Sequence, residues 1–241
     1  MCIIFIAYEV REDYPLVLAA NRDEFYNRPA LAANWWEDHP DVFAGRDLVS
    51  EGTWLGVTRS GRFAAVTNYR DPDAPIGTVS RGRLVSDFLN EETPTRDYLE
   101  NIRFRSAEFS SFNLVAGEMN KNRRELFYFS NRDGEIKKLG AGAYGLSNHL
   151  LDTPWPKIVK GRKSFDAIVK GERFEKEDLF KLLTDGELAP DGPLPGTGAG
   201  LQRDRILSPI YIEAPGYGTR CSTVLTFDRD LRFELDERVF I

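Results

Sequence analysis

The sequence predicts an α+β fold in which antiparallel sheets are covered by helices as a layered sandwich. Three observations predict it. Candidate strands and helices come in consecutive blocks, strands then helices, twice, with strands closing the chain, whereas a parallel sheet would alternate them singly. The first strand is apolar at four successive positions, Ile3 to Ile6, so both of its faces are expected to be covered. The 241 residues, 41% hydrophobic and 29% charged, provide enough chain for a core without staples, and a single domain over residues 1–241 is expected.

The elements follow in order. Cys2 to Glu9 is the first strand, Arg11 to Pro15 a polar turn, and Leu16 to Ala20 a second strand that makes a hairpin with the first. Short strands are expected at Trp54 to Val57 and Phe63 to Asn68, with turns at Gly52 and Ser60–Gly61. Ser80 to Leu89 places Leu84, Val85, Phe88 and Leu89 on one helical face. Thr93 reads as the N-cap of a second helix with Pro94 in its first position and Tyr98, Leu99 and Ile102 on its apolar side. Strands resume at Phe112 to Ala116 and Glu125 to Ser130, and the turn Asn131 to Gly134 leads to Glu135–Leu139. Helices are expected at about Trp155 to Lys170 and Glu175 to Thr184, then a Gly/Pro-rich loop from Gly186 to Gly200. Ile206 to Glu213, Thr219 to Phe227 and Arg232 to Phe240 close the chain as strands.

Composition excludes several classes. A net charge of −6 offers no general attraction for nucleic acid or an anionic membrane, and no apolar run reaches spanning length. The N-terminal stretch lacks a basic region ahead of its apolar run and reads as a strand, not a signal peptide, so a cytoplasmic protein is expected. Two cysteines are too few for a disulfide framework, and with only His39 and His149 beside them no metal-ligand spacing exists. Gly196 to Gly200 is neither a dinucleotide fingerprint nor a P-loop, and no nucleophile elbow is present. The pair Trp35–Trp36 reads as packing.

Chemistry concentrates first at Cys2. Removal of Met1 would leave a cysteine whose thiol and α-amine share one residue, and a free amine can serve as base for the adjacent nucleophile. An ordinary thiol is only about 3% thiolate at neutral pH, and a shift of one unit downward raises that to roughly 25%. The segment Asn21–Arg22–Asp23–Glu24 ends the second strand, so antiparallel pairing returns it to the start of the first, beside Cys2. There Arg22 suits a thiolate and Asp23 an α-amine, while a solvated loop with an internal ion pair is the plainer alternative. Asn68 and Asn148 each end a strand, where a side-chain amide can serve an oxyanion or merely a turn. Arg220 opens a late strand and can bind an anionic group, shape the field at the nucleophile or lie on the surface.

These residues together resemble the NRDE family, also called the transport and Golgi organization protein two family. The resemblance rests on Met1–Cys2, Asn21 to Phe25, Arg28–Pro29, Gly45 to Leu48, Gly52 to Val57, Thr67 to Arg70 and Ser80 to Val85. It resumes at Gly145 to Asn148 and Asp152 to Lys157, and ends with Leu207 to Ile212 and Tyr217 to Arg220. It implies an N-terminal-nucleophile (Ntn) hydrolase-like, four-layer αββα sandwich of antiparallel sheets with Cys2 in the nucleophile position. The chain is similar, more distantly, to cysteine Ntn amidases that cleave bile-acid conjugates and penicillin V. By that likeness Cys2, Arg22, Asp23, Asn68, Asn148 and Arg220 form the catalytic set, although the amidases space their Arg and Asp differently.

Two functions follow as expectations. One is hydrolysis of a linear amide C–N bond in a small N-acyl compound, with Cys2 as nucleophile, needing neither cofactor nor metal. The other is a binding or trafficking protein for haem or an acyl-lipid on a non-catalytic version of the same fold, in which His39, His149, Cys2 or Met119 would contact iron. The expected partner is therefore a small-molecule amide, an acyl compound or haem.

Overall fold

The computed structural model describes residues 2–189 and 200–241, apart from the side chain of Arg203. In chain order the strands are β1 (Cys2–Tyr8), β2 (Leu16–Phe25), β3 (Ala30–Trp35), β4 (Val42–Asp47), β5 (Leu55–Thr58), β6 (Arg62–Asn68), β7 (Phe112–Met119), β8 (Arg124–Ser130), β9 (Ile136–Lys138), β10 (Gly142–Leu146), β11 (Glu213–Ala214), β12 (Tyr217–Phe227) and β13 (Phe233–Val239). The helices are α1 (Gly82–Asn90), α2 (Thr95–Phe104), α3 (Pro156–Lys170), α4 (Lys176–Leu183) and α5 (Leu201–Ile206). Most of the predicted 186–200 loop, including Gly196 to Ala199, lies outside the described residues.

The chain divides into two compact units, one of Met1–Asn27, Arg70–Pro72 and Ala141–Ile241, the other of Arg28–Tyr69 and Asp73–Gly140. The first unit holds a six-stranded antiparallel sheet ordered β10-β1-β2-β12-β11, with β13 also on β12. Ile3, Phe5, Ala7, Val17, Ala19 and Val224 of this sheet cluster with Ile158, Phe165 and Val169 of α3 and Leu179, Phe180 and Leu183 of α4. Ile4, Ile6, Leu16, Leu18 and Leu225, the alternate residues, are equally buried. That explains the unbroken apolar run of β1: it is covered on both faces.

The second unit is a seven-stranded antiparallel meander in sequence order, β3 to β9. Its core joins Ala64, Val66, Leu114, Ala116, Phe127 and Phe129 of the sheet to Leu84, Val85, Phe88 and Leu89 of α1 and Tyr98, Leu99 and Ile102 of α2. Arg62 and Glu118 form a buried ion pair at 3.0 Å in this unit, with Thr95 Oγ1 donating to the same carboxylate at 3.1 Å. Each unit thus packs two helices against its own antiparallel sheet.

Several expectations need correction. Strands β3 and β4 were not foreseen, because β3 is largely solvent-facing and lacks apolar alternation. Residues 206–213 do not form a strand: α5 ends at Ile206 and pairing begins only at Glu213. Pro209 has no N–H to give a ladder, and the segment's main chain is held by single main-chain bonds, such as that from the Tyr211 N–H to the Asp185 carbonyl at 2.8 Å, and by side chains. Lys157 Nζ donates to the Leu207 carbonyl at 3.1 Å, Asn21 Nδ2 to that of Ile210 at 3.0 Å, and the Ile212 N–H donates to Thr219 Oγ1 at 2.9 Å. Thr93 does not cap α2; its hydroxyl donates to Glu91 at 3.2 Å, and Pro94 occupies the cap position. Trp36, as expected, packs: its indole N–H donates to the Ala44 carbonyl at 3.0 Å.

The Ser60–Gly61 turn is a strict requirement. Gly61 sits at φ +84°, and a Cβ there would stand 2.2 Å from the Met119 carbonyl oxygen. Gly61→Ala is expected to destabilise the chain by about 1–3 kcal/mol, read as a fall in the urea midpoint.

Candidate active site

Pairing of β1 with β2 sets Cys2 directly opposite Arg22, and pairing of β2 with β12 sets Arg22 opposite Cys221. Cross-strand partners in an antiparallel sheet share a face, so Cys2, Arg22 and Cys221 form a row across three strands. The predicted return of the Asn21–Glu24 segment to Cys2 is thus what the register delivers. A bulge between Thr219 and Cys221 interrupts β12 at Arg220.

The neighbours of Arg22 point the other way. Asn21 is buried and fully used: its amide nitrogen donates to the carbonyls of Leu183 (2.8 Å) and Ile210 (3.0 Å), and its oxygen accepts from Ser222 Oγ at 2.6 Å. It ties β2 to the end of α4 and to the 207–212 segment, which is a structural task. Asp23 is buried too. Its carboxylate accepts from Thr219 Oγ1 at 2.7 Å, and its carbonyl accepts from Tyr217 Oη at 3.1 Å.

Asn148 is fully buried at the end of the stretch that follows β10. Ser147 Oγ reaches both the Asn148 amide oxygen and the Cys2 carbonyl at 3.2 Å, which ties Asn148 to the start of β1. Arg70 donates its N–H to the Asn148 carbonyl at 2.8 Å and pairs with Asp204 at 2.8 Å. Arg220 is buried, and its guanidinium donates to the carbonyls of Phe25 and Ile241, each at 2.9 Å. Those bonds fasten the end of β2 to the C-terminus. Asn68 belongs to the other unit, where it ends β6 opposite Phe112 of β7. Of the six residues expected to act together, five therefore lie in one unit.

Two groups of this unit were missed by sequence reasoning. Tyr217 is one. The other is Lys157, buried at the second position of α3. A signal for it existed. Lys157 falls on the same helical stripe as Gly161 and Phe165, and a lysine there opposes the helix dipole in the first turn. A cation placed on an apolar face against that dipole needs a local anion.

The electrostatics follow from burial. Burial raises the Cys2 thiol above its ordinary value and the Asp23 charge raises it further, while a hydrogen bond from the Asp23 N–H and the charge of Arg22 act the other way. Asp23 is pushed up to about 6, chiefly by burial, with the N-terminal ammonium first, then Lys157 and the Thr219 hydroxyl, restraining the shift. Lys157 is lowered to about 8, again chiefly by burial, with Asp23 as the opposing charge and Arg70 adding to the fall. Tyr217 is raised by burial and by the charges of Asp23 and Cys2.

The Asp23 shift has a consequence for stability. Between its unfolded value near 4 and about 6 the folded chain holds the extra proton, so ionising Asp23 above that window costs stability. Asp23→Asn is expected to stabilise the chain by on the order of 1 kcal/mol at pH 8, the gain vanishing near pH 4, as read from unfolding midpoints at both pH values.

The family model for Transport and Golgi organisation 2 matches residues 1–241. The chain belongs to this family. The Transport and Golgi organization protein 2 homolog of Bos taurus is 35% identical over 255 residues, spanning 99% of this chain and 92% of the relative. The Homo sapiens homolog is 33% identical over the same shares. The Drosophila melanogaster protein is 29% identical, over 98% of this chain and 91% of its own. Among solved structures, a Caenorhabditis elegans N-acylethanolamine-hydrolyzing acid amidase ortholog superposes with a TM-score of 0.55 over 100% of both chains. At 10% identity that likeness is one of fold, and it is the Ntn-hydrolase-like fold expected from the family.

The other expected contacts are scattered. His149 Nδ1 lies 2.9 Å from Thr153 Oγ1, and burial lowers its pKa. Met119 is fully buried, and His39 belongs to the other unit, against Trp36. Among the described residues no three His, Cys, Asp or Glu side chains gather as a metal site, and no helix is long and apolar enough to cross a membrane.

Proposed function

We propose that the chain, once Met1 is removed, is a cysteine hydrolase of a linear amide C–N bond in a small N-acyl compound. The observation that carries this reading is the register that sets Cys2 opposite Arg22 and turns the Asp23 N–H onto its thiol.

The thiol's raised pKa explains why processing matters. A thiol whose pKa is raised is protonated at neutral pH, so the nucleophile needs a base. While Met1 is attached, the nitrogen of Cys2 is an amide and cannot accept a proton. Removing Met1 turns it into an amine, titrating near 8, on the same residue as the sulfur. That amine takes the thiol proton as sulfur attacks the carbonyl carbon, and the C=O electron pair moves to oxygen. The Asn148 side-chain amide hydrogen-bonds the oxyanion. Collapse re-forms the C=O and breaks the C–N bond; the ammonium protonates the departing amine. Water, deprotonated by the same amine, then attacks the thioester and releases the acid and Cys2. Arg22 balances charge on sulfur, Asp23 holds the ammonium, and Arg220 fixes the end of β2 through Phe25.

The experiment is turnover of a panel of N-acyl amines by processed protein, with both products followed by mass spectrometry. Release of acid and amine in equal amounts supports the proposal. No release, with a haemin Soret shift lost on replacing His39, His149, Cys2 or Met119, replaces it with the carrier reading.

A further inference from the structure

We propose that Thr219 is a positioning residue of the Cys2 site: its hydroxyl fixes the Asp23 carboxylate in the orientation that meets the α-amine of Cys2. This rests on the reading of Cys2 as nucleophile and adds a residue to it.

The contacts are direct. Thr219 of β12 pairs with Asp23 of β2, and its Oγ1 stands 2.7 Å from the Asp23 carboxylate. A second bond fixes the direction of the first. The Ile212 N–H donates to the same Oγ1 at 2.9 Å. A hydroxyl has one proton, and with its oxygen already accepting from an amide, that proton goes to the carboxylate. Asp23 is held at its main chain as well, where its carbonyl accepts from Tyr217 Oη at 3.1 Å. Tyr217 and Thr219 stand two apart on β12, hence on one side of the strand.

The bulge at Arg220 makes this arrangement possible. Thr219 and Cys221 are two residues apart, and in a regular strand both would face the same way. The extra residue sets Thr219 opposite Asp23 and Cys221 opposite Arg22, which are neighbours on β2 and face opposite ways. Thr219 therefore serves the carboxylate, while Cys221 stays in the row with Cys2 and Arg22. The register of β1 supplies the target. Ile3 pairs with Asn21 and Cys2 with Arg22. The α-nitrogen of Cys2, which precedes its Cα in the chain, is therefore directed toward the next residue of β2, Asp23.

A hydrogen bond to the charged form of an acid favours that form, so the Thr219 hydroxyl helps Asp23 stay ionised although it is buried. The other titratable groups that act with Asp23 are the N-terminal ammonium, Lys157 of α3, Glu24 beside it on β2, the Cys2 thiol and the Tyr217 hydroxyl. Without the Thr219 hydroxyl the carboxylate can rotate and takes up a proton at a higher pH. The ammonium formed when the amine accepts the thiol proton then loses its counter-charge.

The test separates the hydroxyl from the shape. Thr219→Val keeps the branched shape and loses the donor, and Thr219→Ser keeps the donor. Turnover of the best N-acyl amine substrate and titration of the Asp23 carboxyl carbon by NMR are measured in processed protein whose folding is checked by circular dichroism. The Val variant is expected to lower kcat at pH 7 about tenfold with KM within about twofold, and to raise the Asp23 midpoint by about one unit. The Ser variant is expected to recover most of both. Equal kcat and superimposable Asp23 titrations for wild type, Val and Ser overturn the inference. Should the Val variant fail to fold, the Thr219 hydroxyl proton decides in the wild type. Slow exchange with a cross-peak to Asp23 is expected, and exchange at the rate of a surface hydroxyl overturns the inference. The titration needs no amide turnover. An Asp23 midpoint that depends on Thr219, without hydrolysis, would retain this inference and discard the hydrolase reading. Hydrolysis with kcat and midpoint indifferent to Thr219 would do the reverse.

Discussion

Cys2→Ala is expected to lower amide hydrolysis by at least about 10³-fold while leaving the unfolding midpoint almost unchanged. The sulfur is the one protein atom of the proposed mechanism that bonds to substrate, so no other side chain can replace it. The structural cost is small because Cys2 begins β1 and keeps part of its surface exposed. The main-chain carbonyl that Ser147 uses is retained in the variant. Cys2→Ser is a stricter comparison. It keeps the hydrogen-bonding shape, but a hydroxyl is a far weaker nucleophile at neutral pH. Hydrolysis surviving in both variants would remove Cys2 from the chemistry.

Phe165→Ala carries the largest expected effect on stability, about 3–5 kcal/mol. Phe165 is fully buried and stacks on Phe5 with ring centroids 5.8 Å apart, which joins the middle of α3 to the middle of β1. The helix cannot settle into the space left, because Gly161 on the same face already brings it down onto β1: a Cβ there would meet Phe5 at 2.2 Å. A fall of roughly 6–20 °C in the melting midpoint is expected. A midpoint within 2–3 °C of the wild type, on the order of 1 kcal/mol, would contradict this account of the core.

The parts of the fold legible in the sequence are those specified by local pattern. β1 announces itself by continuous apolar residues, α1 by its stripe Leu84, Val85, Phe88 and Leu89, and the β1–β2 hairpin by adjacency. Arg22 lies opposite Cys2 for the same local reason, because antiparallel register follows from a short connection. What escaped was decided by partners distant in sequence. Residues 207–212 look like a strand but bond instead to the side chains of Asn21, Lys157 and Thr219 and to the Asp185 carbonyl. The role of Asn21 was equally hidden, since its partners Leu183, Ile210 and Ser222 lie more than a hundred residues away. Arg220 was expected to shape the field at the nucleophile; its bonds to Phe25 and Ile241 depend on a bulge that no sequence pattern marks. Lys157 was visible only as a charge on the wrong face of a helix.

Central to this account is a free N-terminal Cys2 that bonds covalently to an acyl group. Intact-mass spectrometry of the purified chain, before and after reaction with an acylating β-lactone probe, tests it most directly. The account predicts a chain lighter by one methionine that gains a single acyl group, mapped by peptide sequencing to Cys2. A chain that keeps Met1 and leaves Cys2 unlabelled would contradict it.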